Sequence, residues 1–326
     1  MNPEKEEPDR TREGVIRRAY RWGRRKLAER GGPAATALYL YSERLRRSGT
    51  GWRYSFVRLE ELLAWSLSWA PSLSGFDLVI GVPRSGLLVA GVIAARLGKP
   101  LATPETLRSG LCWRGGPGAG PTDKAGRVLL VDDSVHSGKT MNLVAAGVRE
   151  TLPGAVVETA ALIAAPGSER MVDYFFRTVK VPRLFEWNML HVKKGALLCD
   201  LDGVICENCP PGTDGDEKEY SRWIGNAKPY LVPSFEIDCI LSARLEKYRT
   251  ETESWLRKNG VRYGKLLLWD LPDKDSRKGL FSEYKISRVK EVKPEMVWES
   301  NPGQAADIHR ATGIPTLCVD TMTMHG

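Results

Sequence analysis

The chain has 326 residues, 42% of them apolar and 27% charged, with 48 Lys and Arg against 40 Asp and Glu. This is the composition of a soluble globular protein of about two domains. No apolar run approaches the ~20 residues of a membrane span, the N-terminus shows no signal-peptide apolar core, and six cysteines without framework spacing point to a reducing cytoplasm.

In chain order, residues 1–11 are polar and charged and are expected to be disordered. Arg12 to Arg30 reads as a basic helix with Val15, Ile16, Trp22 and Leu27 as sparse apolar contacts. It suits either an anionic surface or loose packing on the body. After Gly31-Gly32-Pro33, further helices are expected over Ala34–Arg47 and Arg58–Trp69. Residues 1–50 hold thirteen Lys and Arg against seven Asp and Glu, so most of the net +8 charge lies in this extension. The nearly neutral remainder argues against a nucleic-acid partner.

Phe76–Val82 reads as a strand and Leu87–Leu97 as a helix, joined by the turn Val82-Pro83-Arg84-Ser85-Gly86. Arg108–Pro121 is Gly- and Pro-rich without periodicity, as functional or disordered loops are. Val128–Val131 is an uninterrupted apolar run, expected to be a buried strand that ends at Asp132 and Asp133. A small-residue loop, Ser134–Lys139, follows, and Thr140 opens a helical run. Strand, loop and helix start aim backbone N–H groups and a positive helix end at one spot, which suits phosphate. The spacing is not that of a Walker loop.

The run RVLLVDDSVHSGKT, preceded by GVPRSG, resembles the signature of the type I phosphoribosyltransferases, which take phosphoribosyl pyrophosphate (PRPP). That resemblance implies that Asp132 and Asp133 hold the ribose hydroxyls. It implies that His136, Ser137, Gly138, Lys139 and Thr140 wrap the 5′-phosphate, and that Arg84 and Ser85 meet the pyrophosphate. The Arg108–Pro121 loop would close over PRPP, with Arg108 and Arg114 as contacts. After a further buried strand, Val156–Ala164, the segment Arg183–Asn188 resembles the hood of the purine-type enzymes, with Trp187 or Phe185 stacking on the base. His136 departs from the aspartate of the 6-oxopurine enzymes; a neutral imidazole can do the same proton work, and the base stays open.

Ala196–Asp200 is expected to be a new strand, and ALLCDLDGVIC resembles motif I of the haloacid dehalogenase (HAD) superfamily. The resemblance implies Asp200 as nucleophile, Asp202 as acid/base, and Mg²⁺ neutralising the crowded anions through Asp200, Asp202 and Glu299. Later segments follow in order: a strand Cys239–Ser242 ending in the phosphate-binding Ser242, a helix Tyr248–Lys258, a strand Leu266–Trp269, Lys285 (or Lys278) as the phosphate-side cation, a strand Met296–Trp298 before Glu299-Ser300, and a helix Gly303–Thr312. The insert Glu207–Glu236 reads as too small for a folded cap, leaving the cleft open or covered by the neighbouring domain. Cys206-x-x-Cys209 has no second Cys/His pair at ligand spacing nearby and reads as structural or incidental rather than metal-binding.

The expected fold is α/β: a phosphoribosyltransferase domain over 51–190 and a HAD-like Rossmannoid domain over 195–326, both doubly wound, behind the basic helical extension of 1–50. The expected function is transfer of ribose 5-phosphate from PRPP to a nitrogenous base, fused to a Mg²⁺-dependent phosphatase acting on a phosphorylated small molecule. A non-catalytic PRPP or nucleotide sensor, and a transferase with an inert second half, are the alternatives. Homo-oligomerisation is compatible with all three.

Overall fold

The computed structural model describes residues 54–115, 120–121 and 125–326. The basic extension of 1–50 with its expected helices, and part of the Gly/Pro-rich loop, lie outside the described residues.

The first half runs β1 (Ser55–Val57), α1 (Leu59–Trp69), β2 (Leu78–Gly81), α2 (Gly86–Leu97), β3 (Leu101–Ala102), α3 (Pro104–Arg108), β4 (Leu111–Cys112), β5 (Gly120–Pro121), β6 (Arg127–Val135), α4 (Lys139–Thr151), β7 (Val156–Ala164), β8 (Tyr174–Thr178) and β9 (Arg183–Phe185). Five strands form a parallel sheet in the order β3-β2-β6-β7-β8. Its central strands are apolar on both faces because helices cover both. Leu129 and Val131 pack with Val89, Ala90 and Ile93 of α2. Val128 and Leu130 pack on the other side with Met141, Ala145 and Val148 of α4. Separate from the sheet, β1 pairs with β9, and β4 pairs with β5.

β6 does not stop at the end of its apolar run. It continues to Val135 because β7 runs beside it, pairing Asp132 with Ala161 and Val135 with Ala164. Asp132 and Asp133 therefore lie within the strand, on alternate faces. The following helix begins at Lys139, one residue before the expected Thr140.

The second half runs β10 (Leu197–Asp200), α5 (Glu217–Asn226), β11 (Ile237–Leu245), α6 (Arg249–Lys258), β12 (Tyr263–Trp269), α7 (Phe281–Val292), β13 (Met296–Glu299), α8 (Pro302–Thr312), β14 (Thr316–Cys318) and β15 (Thr323–His325). The sheet order is β12-β11-β10-β13-β14-β15, parallel except for β15. Leu197 and Cys199 face a core with Trp255 and Leu256, while Leu198 faces another with Trp269, Tyr284 and Ile308. Tyr54, Leu184 and Met189 from the first half belong to the same cluster as Leu197 and Trp255, so the halves share apolar packing. The molecule is thus mixed α/β with two largely parallel sheets. Among the described residues, no helix is long and apolar enough to cross a membrane.

Candidate functional site

In an open parallel sheet, ligands gather at the carboxyl ends of the strands where the strand order reverses. In the first sheet that reversal lies between β2 and β6. The turn after β2 (82–86) and the end of β6 with its loop (132–140) meet there. Gly86 lets them meet: a Cβ on it would lie 2.6 Å from the Val131 carbonyl oxygen and 2.8 Å from the Asp132 Cα. Gly138 takes a left-handed φ of 70° at the start of α4, and no side chain caps that helix. The start of a helix without a side-chain cap suits an anion.

The two adjacent acids have different surroundings. The Asp133 carboxylate is buried and accepts from the Trp187 indole N–H at 2.7 Å and the Asn188 amide at 3.4 Å. Asp132 accepts the Asp133 backbone N–H at 2.8 Å. Burial, reinforced by the Asp133 charge, pushes Asp132 up to about 8. Asn188 ties the acids to the turn after β2: its Oδ1 accepts from the Arg84 guanidinium and, at 2.9 Å, from the Ser85 hydroxyl. Arg84 also donates to the Trp187 carbonyl at 3.3 Å. The structure thereby gathers Arg84, Ser85, Asp133 and Trp187 into one network, with Asp132 alongside. His136, Ser137, Lys139 and Thr140 surround the α4 start and are solvent-exposed. The Ser168 hydroxyl donates to the His136 carbonyl at 2.5 Å and anchors that loop.

The expected aromatic pair is stacked on itself, with ring centroids 4.6 Å apart and planes 6° from parallel. Phe185 is buried and Trp187 half-buried, so Trp187 is the ring placed toward the cleft. Arg108 pairs with Glu105 at 3.7 Å and lines a cavity of about 510 Å³ with Pro83, Thr140 and Leu143, on the outer side of α4. That groove adjoins the 82–86 turn without containing either aspartate. Arg114 lies at the exposed end of the described loop residues.

A second convergence occurs where β10 and β13 part, again at a reversal of strand order. A cavity of about 340 Å³ is lined by Asp200, Asp202, Arg244, Arg277, Lys285 and Glu299, among others. Lys285 Nζ lies 2.7 Å from both Asp200 and Glu299. Lys278, its competitor, pairs with Asp275 at the surface. Burial and the Glu299 charge push Asp200 well above the usual carboxylate range, against the pull of Lys285. Asp202 instead meets the buried Arg244, which donates from Nη2 at 2.6 Å and from Nε at 3.1 and 3.2 Å. Ser242 is fully buried and spends its hydroxyl on Asp202 at 3.3 Å rather than on the cavity.

Lys285 pairs with Asp200 and Glu299 and Arg244 with Asp202, and among the described residues no group of three or more His, Cys, Asp or Glu is arranged to hold a metal. Cys206 is buried beside Asp202 and Cys209 lines the cavity; both are free thiols. The insert is also more structured than its composition suggested. α5, capped by the Asp216 carboxylate on the Glu219 amide at 2.8 Å, buries Tyr220 and Ile224, and the insert supplies Asn208, Pro211, Asp214 and Tyr220 to the cavity wall.

Sequence reasoning missed Asn188, Arg183, Arg244 and Arg277. Arg244 lies beyond the expected strand end at Ser242, on the part of β11 that continues to Leu245. Arg183 and Asn188 lie in the segment read as a hood, but their partners, like that of Arg277, are far along the chain and no local pattern encodes them.

No family model matches the sequence, and a comparison with curated proteins finds no match. Solved structures do match. A purine phosphoribosyltransferase from Pyrococcus horikoshii OT3 is 23% identical, covering 43% of this chain and 98% of its own, with a TM-score of 0.34. The xanthine-guanine-hypoxanthine phosphoribosyltransferase of Helicobacter pylori is 15% identical over 42% of this chain and 95% of its own, with a TM-score of 0.34. An orotate phosphoribosyltransferase from Aeropyrum pernix is 25% identical over 37% of this chain and 71% of its own, with a TM-score of 0.27.

Proposed function

We propose that the first half is a phosphoribosyltransferase. The observation that carries this reading is the meeting of the Arg84 turn, the Asp132–Asp133 pair and the uncapped start of α4 at one strand-order reversal. A diol, a diphosphate and a monophosphate are then each faced by suitable chemistry. Carboxylates accept from hydroxyls, Arg84 and turn amides meet the diphosphate, and amides at 136–140 meet the 5′-phosphate. Transfer replaces the bond from ribose C1 to pyrophosphate oxygen with one to a base nitrogen. The bonding electrons leave with pyrophosphate, and the base loses its N–H proton. Trp187 is proposed to face the base and His136 to receive the proton. Magnesium is proposed to enter on the pyrophosphate of the substrate.

For the second half, the convergence of Asp200, Lys285 and Glu299 supports a cleft for a phosphorylated small molecule. The phosphatase reading makes Asp200 the attacking carboxylate. The commitment of Asp202 to Arg244 favours the competing reading, a cleft that holds such a molecule without cleaving it.

Pyrophosphate release from PRPP over a panel of bases tests the transferase. Asp132→Asn/Asp133→Asn is expected to weaken PRPP binding by at least about tenfold, the loss of roughly one charge-assisted contact. Unchanged affinity sinks the proposal, while tight PRPP binding without turnover on any base selects a sensor. Phosphate release from p-nitrophenyl phosphate, abolished in Asp200→Asn, would establish hydrolysis in the second cleft. No release, with inorganic phosphate still bound, establishes the holding cleft.

A further inference from the structure

A helix on the surface of a soluble protein turns charge toward water. α6 does so with Arg257 and Lys258, and α7 with Glu283, Lys290 and Glu291. α1 does not. Its inner side buries Leu62, Ser66 and Trp69, and its outer side presents Leu63, Ala64, Leu67 and Ser68. Leu63 and Leu67, one turn apart, are 39% and 48% exposed, and no charged residue occurs between Glu61 and Asp77. On α2, which packs beside α1, Leu88 is 42% exposed. Exposed leucines scattered singly are ordinary, but a helix without charge on its outer stripe is expected to be covered.

The chain outside the described residues holds a segment suited to cover it. In 34–47, Ala34, Leu38, Tyr41 and Leu45 recur at helical spacing on one face, while Glu43, Arg46 and Arg47 fall opposite. Ser48-Gly49-Thr50-Gly51 follows, a run whose residues permit a reversal. Arg47 stands only twelve positions before Leu59, the first residue of α1. That stretch reaches up to about 40 Å, more than the ~16 Å length of α1. An antiparallel return brings Arg46 and Arg47 to the first turn of α1, where Glu60 is exposed. A free partner of ordinary size covers about 800 Å² on each side, far more than three half-exposed leucines offer. A short tether removes that requirement, because it holds the segment at an effective concentration of about a millimolar.

We propose that the outer face of α1 is a docking surface for the chain's own segment 34–47, which lies antiparallel along it as a helix with Leu38, Tyr41 and Leu45 over Leu63 and Leu67. The segment thereby completes the layer that α1 and α2 form on one side of the first sheet. Its docking is independent of the transferase reading.

The test uses the full chain. Limited trypsin digestion read by mass spectrometry is run on wild type, on Leu63→Glu/Leu67→Glu and on the reciprocal Leu38→Glu/Leu45→Glu. Cleavage after Arg44, Arg46 and Arg47 is expected to be at least about tenfold faster in both variants than in wild type, because a charge in the apolar contact raises the undocked population. Equal rates in wild type and Leu63→Glu/Leu67→Glu overturn the inference. General degradation of the body marks a variant that has unfolded, and the decision then rests on cross-linking. Tyr41→Cys/Leu67→Cys treated with a short bismaleimide is expected to link within one chain, running as a monomer on a denaturing gel, while neither single variant forms that link. A link between two chains, with a dimeric mass by light scattering that Leu63→Glu/Leu67→Glu abolishes, assigns the face to a second copy and overturns the inference. Binding of wild type to phosphatidylserine vesicles that is lost in Leu63→Glu/Leu67→Glu assigns the face to a membrane and overturns it as well. Absence of any link overturns it outright.

Discussion

Asp132 carries its own stability signature. Its folded value of about 8 lies far above the ordinary aspartate value of 3.8, because burial and then the Asp133 charge penalise ionisation. Between about pH 4 and pH 8 the folded chain keeps a proton that the unfolded chain has released, so this group lowers stability as pH rises through that window. Asp132→Asn removes the dependence. Its melting temperature relative to wild type is expected to climb from pH 5 to pH 8.5, read by scanning calorimetry; a constant offset across that range refutes the assignment. The gain comes at the expense of function, since the same carboxylate is proposed to hold a ribose hydroxyl. Both acids were readable as a pair from the chain alone. Their unequal environments were not, because the partners of Asp133 lie more than fifty residues away, at Trp187 and Asn188.

At the scale of elements, two glycines on α2 separate function from propensity. Gly86 sits where the helix touches β6, and a methyl there collides with backbone at 2.6 Å and 2.8 Å. Gly91, on the same helix, has nothing within 4 Å of its added Cβ. Gly86→Ala is expected to cost about 1–3 kcal/mol through overpacking. It is also expected to weaken PRPP binding by parting the two turns. Gly91→Ala is expected to stabilise by about 0.5–1 kcal/mol. Urea unfolding of both variants checks this, and equal effects at the two positions would contradict the close approach. Several elements were legible: Val156–Ala164 is found as expected, and helices Gly86–Leu97, Arg249–Lys258 and Pro302–Thr312 begin within one residue of expectation. Strand ends were not, since β6 and β11 outrun their apolar stretches when a neighbouring strand supplies ladder partners. α5 was lost because its insert is polar overall. Only Tyr220 and Ile224, four residues apart, mark its buried face. The short strands β9 and β14 have too few residues to show a period.

For the whole molecule, the shared packing decides whether the two halves are separable. Tyr54, Leu184 and Met189 sit in one cluster with Leu201, Val204 and Ile205, the turn that follows Asp200. The Leu190 carbonyl accepts from the Ser234 amide at 2.8 Å and its hydroxyl at 3.1 Å. The segment carrying Trp187 and Asn188 therefore rests on the second half. Each of the three buried side chains contributes about 1.5–3 kcal/mol by leaving water, a sizeable part of the 5–15 kcal/mol that holds a typical domain folded. A fragment ending at Lys193 exposes them all, and its hood loses the surface that fixes it. The intact chain is accordingly expected to unfold in a single calorimetric transition, with Met189→Ser lowering that transition as a whole. The fragment is expected to be insoluble, or folded without PRPP affinity. Two independent transitions, of which Met189→Ser moves only one, together with a soluble PRPP-binding fragment, would show that the second half merely adjoins the first. Coupled unfolding would instead explain why a cleft built on Asp200 and Lys285 is carried on the same chain: its core is the floor on which the proposed base-binding hood stands.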